Sequence, residues 1–303
     1  MTIKSNEIYC GNAIDNLKKM SSGSVDCIVT SPPYYGQRDY GNEQQIGSEK
    51  VPSEYVNSLV SVFSECFRVL KDSGTLWLNL GDKYKDGELL GMPWRVALAL
   101  QDIGWFLRND IIWHKPNAMP NAVKNRLTTD HEYIFFFTKK KSGYYYDQDA
   151  IREEHVTFSD KSKMKGGKNH FGKVNGTPEE GKNKGNPNLH NGRWDQAFHP
   201  NGRNKRTVWN VPLSKFRGAH FAVFPEKLIE PCILVGCPEG GIVLDPFFGA
   251  GTSGVVANKL KRKYVGIELN QDYIEIAKKR LLISESFSLE SSENSDHSFQ
   301  FLL

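Results

Sequence analysis

The chain has 303 residues, 39 % hydrophobic and 24 % charged, enough for one large domain or a catalytic domain with a smaller module. Its longest apolar runs, such as Ile134 to Phe137, fall far short of the ~20 residues that cross a bilayer, and Met1 to Glu7 lack the apolar stretch of a signal peptide, so no membrane partner is expected. A net charge of +4 is too small to mark a nucleic-acid binder, and five cysteines without a CxxC pair read as free thiols of a cytoplasmic protein.

From Glu7 to about Asp149, strand-like and helical pieces alternate. Val25 to Thr30 reads as a buried strand, and Ser53 to Lys71 as a helix with Ser53 as its N-cap, because Tyr55, Leu59, Phe63, Cys66, Phe67 and Leu70 recur at helical spacing. After the Ser73-Gly74 break, Thr75 to Leu80 predicts a strand, followed by a helix over Pro93 to Gln101 and a strand over Asp110 to Trp113. This rhythm argues for a parallel sheet wrapped by helices.

Residues 155–210 depart from the pattern. They hold eight Gly, nine Asn and eleven Lys/Arg against four Asp/Glu, a local charge of +7 that suits contact with phosphates or a solvated loop equally well. Phe158, Phe171, Trp194, Phe198 and Trp209 are more aromatics than a spacer needs, which favours a loop-rich module that orders on its ligand. Beyond Lys215 the α/β pattern resumes, with a helix over Phe224 to Val235, a strand over Ile242 to Asp245, a helix over Thr252 to Leu260, a strand over Lys263 to Glu268 and a helix over Gln271 to Leu282. The Ser- and acid-rich stretch from Ser284 reads as a mobile tail. The expected division is therefore 1–154, 155–210, 211–283 and 284–303.

Two motifs carry chemistry. Asp245-Pro246-Phe247-Phe248-Gly249-Ala250-Gly251-Thr252 lies between a strand and a helix start, where glycines let backbone approach a ligand and helix amides point outward. Glu268 ends the next strand, placed to accept hydrogen bonds from ribose hydroxyls. Gly249, Gly251 and Gly254 also satisfy the G-x-G-x-x-G spacing, so a nicotinamide-dependent oxidoreductase stays open on this motif alone. The second motif, Ser31-Pro32-Pro33-Tyr34, follows the buried strand. Two prolines fix the backbone and remove two donors, while their carbonyls remain acceptors. With the Ser31 hydroxyl and the Tyr34 ring, they suit a planar ligand bearing an amino group; a rigid turn is the plainer alternative.

Together the two motifs resemble those of the amino-methylating DNA methyltransferases, with catalytic Asp/Asn/Ser-Pro-Pro-Tyr/Phe and cofactor Asp-Pro-Phe-x-Gly-x-Gly-Thr. The order, catalytic motif first, is similar to the permuted β class of that family, and the likeness covers roughly residues 7 to 282. It implies a Rossmann-like S-adenosylmethionine-dependent methyltransferase fold with a target-recognition region inserted at 155–210. It implies catalytic Ser31, Pro32, Pro33 and Tyr34. For S-adenosylmethionine it implies Asn12, Phe224, Pro225, Asp245, Phe247, Gly249, Gly251, Thr252 and Glu268, with no metal. Asn12, in Gly11-Asn12, replaces the commoner Asp of the family. His220 to Leu228 resembles the segment lining the methionine end of the cofactor, and Trp113 to Asn117 an element near the target base.

Ser31 at the first motif position, and the continuation Tyr35 to Tyr40, resemble the cytosine-N4 group; the N6-adenine group is the alternative. The family resemblance implies double-stranded DNA as partner, with a cognate restriction endonuclease and a homodimer as further expectations. The target base would be flipped out of the duplex and stacked on Tyr34. Pro231-Cys232, the one Pro-Cys pair, lies in a helical segment, which points to a core thiol and away from carbon-5 methylation.

Overall fold

The computed structural model describes residues 4–37, 44–154, 201–213 and 224–296. The chain forms two compact units, Met1–Asp147 with Thr207–Leu303, and Gln148–Arg206. Most of the expected 155–210 module, residues 155–200, lies outside the described residues. Of the smaller unit, a 3-10 turn at Asp149–Ile151 and a two-way backbone bridge between Glu153 and Arg203 (2.9 and 2.8 Å) are described. Arg203 and Lys205 both pair with the Glu153 carboxylate, at 3.2 and 3.3 Å.

The larger unit is built on an eight-stranded sheet. Its strands are β1 (Glu7–Cys10), β2 (Val25–Thr30), β3 (Leu70–Leu80), β6 (Phe106–His114), β7 (His131–Thr138), β8 (Val208–Asn210), β9 (Ile242–Asp245) and β10 (Lys263–Glu268), in the order β1-β10-β9-β2-β3-β7-β6-β8. A separate two-stranded hairpin joins β4 (Tyr84–Lys85) to β5 (Glu88–Leu89). Every neighbouring pair in the large sheet is parallel except those made by β7, which runs antiparallel to both β3 and β6. The expected parallel sheet thus has one reversed strand, the apolar run around Ile134 to Phe137. Val208–Asn210, expected inside the loop-rich segment, is a sheet strand.

Strand alternation sorts the core into two faces. Ile28, Leu76, Leu78, Phe135, Phe137, Leu244, Val265 and Ile267 share one buried cluster with residues of α1 (Ala13–Leu17), α2 (Pro52–Val69) and α3 (Met92–Asp102). Burying side chains of this size stabilises by roughly 1.5–3 kcal/mol each. Thr75 and Trp77 point to the other face, where Thr75 Oγ1 donates to the carbonyl of Gly236 (2.9 Å) at the end of α4 (Glu226–Gly236). Helices α5 (Thr252–Lys259) and α6 (Gln271–Asp296) pack in series beside α4.

Three local expectations change. Helix α2 begins at Pro52 behind Val51, which makes no side-chain cap; Ser53 is already inside the helix. Strand β3 begins at Leu70, directly from α2, and runs through the Ser73-Gly74 pair. Helix α6 continues past Leu282 to Asp296, because no Gly or Pro interrupts the chain from Gln271 onward. As expected, Pro231 lies inside a helix, α4, and Cys232 is buried; Cys27, Cys66 and Cys237 are buried too, and Cys10 is exposed. No helix among the described residues is long and apolar enough to cross a membrane.

The chain leaves β2 toward α2 on one face, and leaves its parallel neighbour β9 toward α5 on the other. Divergent exits from adjacent parallel strands open a crevice at their carboxyl ends.

Candidate active site

That crevice is an open cavity of about 490 Å³. Its lining comes from Gly11 to Ala13 after β1, Ser31 to Tyr34 after β2, Pro246 to Ala250 and Thr252 after β9, and Ile267 to Gln271 around the end of β10. Asn79 of β3, Trp113 of β6, and Lys115 join them. The reversal of β7 has a direct effect here. An antiparallel strand starts where its parallel neighbours end, so Glu132, second residue of β7, faces the same cavity.

At the end of β2, Tyr55 OH donates to the Pro33 carbonyl (2.9 Å) and fixes the Pro-Pro turn from behind. The Tyr34 ring lies against Gly81, where any Cβ would come within 2.7 Å of its Cε2. Tyr34 OH donates to Glu132 Oε2 at 2.7 Å, and Ser31 Oγ donates to Tyr34 OH at 3.2 Å. Asn79 Nδ2 donates to Glu132 Oε2 and to the Tyr133 carbonyl, both at 3.1 Å. Lys115 Nζ pairs with Glu132 Oε1 and stands 4.4 Å from the centroid of the Trp113 ring. Burial, with the Glu132 charge next in weight, pushes the Tyr34 phenol well above its ordinary value.

At the ends of β9 and β10 the construction differs. Asp245 is buried and both oxygens of its carboxylate are engaged, by Thr30 Oγ1 (2.6 Å), Ser253 Oγ (2.7 Å) and the Phe247 N–H (3.0 Å). Burial raises its carboxyl to about 6, against the lowering effect of these three hydrogen bonds. The Thr30 bond ties the end of β2 to the end of β9 across 215 positions of sequence. Glu268 Oε2 accepts from Gly249 N–H (2.7 Å) and Oε1 from Asn270 N–H (2.9 Å), while burial raises its carboxyl. Arg280 of α6 donates to the Ala250 carbonyl (2.7 Å) and Thr252 Oγ1 (2.9 Å), bracing the glycine loop.

The cavity gathers most of the residues singled out in the sequence: Asn12, Ser31, Pro32, Pro33, Tyr34, Phe224, Phe247, Gly249, Thr252 and Glu268 all line it. Three do not. Asp245 is buried and outside the lining, with hydrogen bonds to both oxygens that hold the loop. Gly251 has φ 78°, and a Cβ there would come within 2.8 Å of Ala277 Cβ, so its glycine serves the backbone and the close packing of α6. Pro225 is the N-cap residue of α4. Asn12 lines the cavity but its Oδ1 caps α1, accepting from Ile14 N–H at 2.9 Å. Of the His220 to Leu228 segment, residues 220–223 lie outside the described residues, as do residues 38–40 of the motif's continuation.

Asn79, Glu132 and Arg280 were not foreseen, nor was the part played by Lys115. Glu132 left one usable sign. A carboxylate at the head of Tyr133-Ile134-Phe135-Phe136-Phe137 enters a buried strand, and a charge in that setting needs a partner. Asn79 and Arg280 have no such mark, since each depends on which strands and helices become neighbours.

A family model described as DNA methylase, of the N6/N4 methyltransferases, matches residues 25–279. The type II methyltransferase M.Cfr9I of Citrobacter freundii is 44 % identical over 303 residues, covering 90 % of this chain and 87 % of that protein. The type II methyltransferase M.SmaI of Serratia marcescens is 40 % identical, with 92 % of each chain covered. Among solved structures, PvuII DNA methyltransferase (cytosine-N4-specific) superposes with a TM-score of 0.65 at 20 % identity, over 92 % of this chain and 87 % of that one. A putative DNA modification methylase from Thermus thermophilus, complexed with S-adenosyl-L-methionine, gives 0.58 at 24 % identity, over 91 % and 95 %. At these identities the two superpositions show a shared fold. The sequence matches decide against the nicotinamide-dependent oxidoreductase that the glycine spacing leaves open. A family match across most of the sequence, joined to relatives at 40 % identity or more along nine-tenths of it, establishes that the chain belongs to the N6/N4 DNA methylase family.

Proposed function

We propose that the protein is a site-specific DNA methyltransferase that moves a methyl group from S-adenosylmethionine to the exocyclic N4 of cytosine in double-stranded DNA. One observation carries the reading: the Ser-Pro-Pro-Tyr turn and the Asp-Pro-Phe loop, distant in sequence, line a single cavity, joined at its floor by the Thr30–Asp245 hydrogen bond. The choice of cytosine N4 rests on Ser31 at the head of the motif. The type II relatives support a cognate restriction endonuclease that reads the same sequence.

The residues present fit the methyl donor. The Glu268 oxygens each spend one lone pair on a backbone N–H and keep another for a ribose hydroxyl. Phe247 and Phe224 offer apolar surface; Gly249, Thr252 and Asn12 complete this side of the cavity. When bound, S-adenosylmethionine supplies a methyl group already activated on a sulfonium.

An aromatic amino group is a weak nucleophile because its lone pair is delocalised into the ring. Ser31 Oγ and the Pro32 carbonyl accept its two N–H bonds and hold the nitrogen lone pair out of conjugation. The stiff Pro-Pro turn holds these acceptors in place, so orientation supplies much of the acceleration. Tyr34 stacks on the extruded base, which costs roughly a few kcal/mol to unpair. Residues 155–210, with their +7 charge, grip phosphates and read base edges in this scheme.

Mass spectrometry of nucleosides from DNA incubated with the protein and S-adenosylmethionine tests the proposal. N4-methylcytosine is the expected product. N6-methyladenine would replace the base assignment, and no methylated nucleoside would overturn the whole reading.

A further inference from the structure

We infer that Glu132 is a positioning residue that sets the direction of the Ser31 hydroxyl through Tyr34, keeping Ser31 a hydrogen-bond acceptor toward the target base. The inference rests on the proposed amino-methylation and adds to it a role for a carboxylate outside both motifs.

A serine hydroxyl either donates or accepts toward a given neighbour, and a free rotor would do both. Chemistry on an amino group requires only acceptance, since a donated Ser31 proton would face the N–H bonds and engage the very lone pair that must attack. Nothing within Ser31-Pro32-Pro33-Tyr34 settles the rotor by itself. The surrounding network does.

Glu132 is the fixed end. As a carboxylate it only accepts, and its side chain is 15 % exposed, held by Lys115 on one oxygen and by Asn79 Nδ2 on the other. Tyr34 has one proton and places it on Glu132 Oε2 at 2.7 Å, the shorter of its two acceptor contacts, the other being Asn79 Oδ1 at 3.2 Å. Asn79 cannot reverse this. Its Nδ2 is engaged by the Tyr133 carbonyl and Glu132, so its oxygen is the atom turned to Tyr34. With its proton spent, the Tyr34 oxygen can only accept from Ser31, at 3.2 Å. The Ser31 proton therefore points along the cavity wall and its lone pairs remain for the base. Burial that keeps the Tyr34 phenol protonated preserves this direction through ordinary pH.

The arrangement also separates two jobs of one residue. The Tyr34 ring stacks, and the Tyr34 hydroxyl relays. Tyr34→Phe removes the second and spares the first.

The test uses the full-length protein, DNA lacking N4-methylcytosine and S-adenosylmethionine, with nucleoside product counted by mass spectrometry. Tyr34→Phe, Glu132→Gln and Ser31→Ala are made singly and in pairs. Tyr34→Phe is expected to lower kcat about tenfold, the scale of one lost hydrogen bond, with KM for S-adenosylmethionine within about twofold. Glu132→Gln, whose amide N–H₂ faces Tyr34 once Lys115 takes the amide oxygen, leaves the Tyr34 proton the longer contact to Asn79 Oδ1 and is expected to lower kcat by a smaller factor than Tyr34→Phe. The double-mutant cycles decide. Within a Ser31→Ala background, Tyr34→Phe should cost nothing further, and within Tyr34→Phe, Glu132→Gln should cost nothing further. Multiplicative losses in either cycle, or wild-type kcat in Tyr34→Phe, overturn the relay. Thermal unfolding of each variant identifies a loss that comes from misfolding, and Glu132→Asp then replaces a Glu132→Gln that fails to fold, with the same cycle read. If the wild-type protein itself yields no methylated nucleoside, the proposed function fails and not the relay.

Discussion

The two walls of the cavity are built from opposite materials. At the end of β2, two prolines strip donors from the backbone, and the site presents acceptors: Ser31 Oγ and the Pro32 carbonyl. At the ends of β9 and β10, glycine-rich backbone donates N–H groups to a carboxylate, and that carboxylate, Glu268, is then presented to the cavity. Both walls end by offering oxygen acceptors, one neutral and one anionic. The neutral pair suits a nitrogen that must keep its lone pair free, and the anion suits hydroxyls that need only be held. In the proposed function, acceptor charge more than acceptor number divides the cavity into a reacting side and a holding side.

The sharpest way to break that division is Ser31→Ala. It should reduce kcat by roughly 10²–10³, the scale of losing one preorganised polar group at a reacting centre, and leave S-adenosylmethionine affinity by calorimetry unchanged. A comparable loss of cofactor affinity would mean that Ser31 serves both walls. The converse change, Glu268→Gln, should weaken S-adenosylmethionine binding by about tenfold to a hundredfold, since it removes charge-assisted hydrogen bonds. Methyl transfer at saturating cofactor should then recover most of its rate. A third prediction concerns the basic segment 155–210. Reversing Lys161, Lys163, Lys165 and Lys168 to Glu should weaken duplex binding about tenfold or more and flatten its salt dependence, with calorimetric cofactor affinity intact. Equal loss of both affinities would remove residues 155–210 from the recognition role.

A last prediction, on stability in place of activity, concerns the floor between the walls. Asp245 titrates near 6 in the folded protein, above its ordinary value, so the folded state holds its proton where the unfolded chain has released it. Its contribution to stability is therefore fully present below about pH 4, falls as pH rises toward 6, and is level above that. Asp245→Asn should remove this fall. Thermal unfolding of the two proteins across that range should give curves that differ by a gradual step, and parallel curves would show that Asp245 does not titrate there.

Much of this architecture was legible in the residues. Val25 to Thr30, Ile242 to Asp245 and Lys263 to Glu268 are strands at the expected positions, because short apolar runs bounded by motif loops leave little choice. The reversed direction of β7 was not legible, since an apolar run carries no sign of its orientation and direction is set by the pairing with β3 and β6. That single unknown hid Glu132 and, with it, the hydrogen-bond direction at Ser31. The hydrogen bond that Asp245 receives from Thr30 was hidden for a related reason, since Thr30 is delivered from a distant part of the chain.

The pairing of β1 with β10 has a consequence in time. Glu7–Cys10 lies against Val265–Glu268, so a strand made early in synthesis waits for a partner made much later. At roughly 5–20 residues per second, an interval of about 10–50 s separates them on the ribosome. Over that interval Glu7–Cys10 lacks the partner it has in the folded protein, and the cavity has neither the loop after β9 nor Glu268. Assembly of the site is therefore a late event, completed when the second half of the protein reaches back to the first.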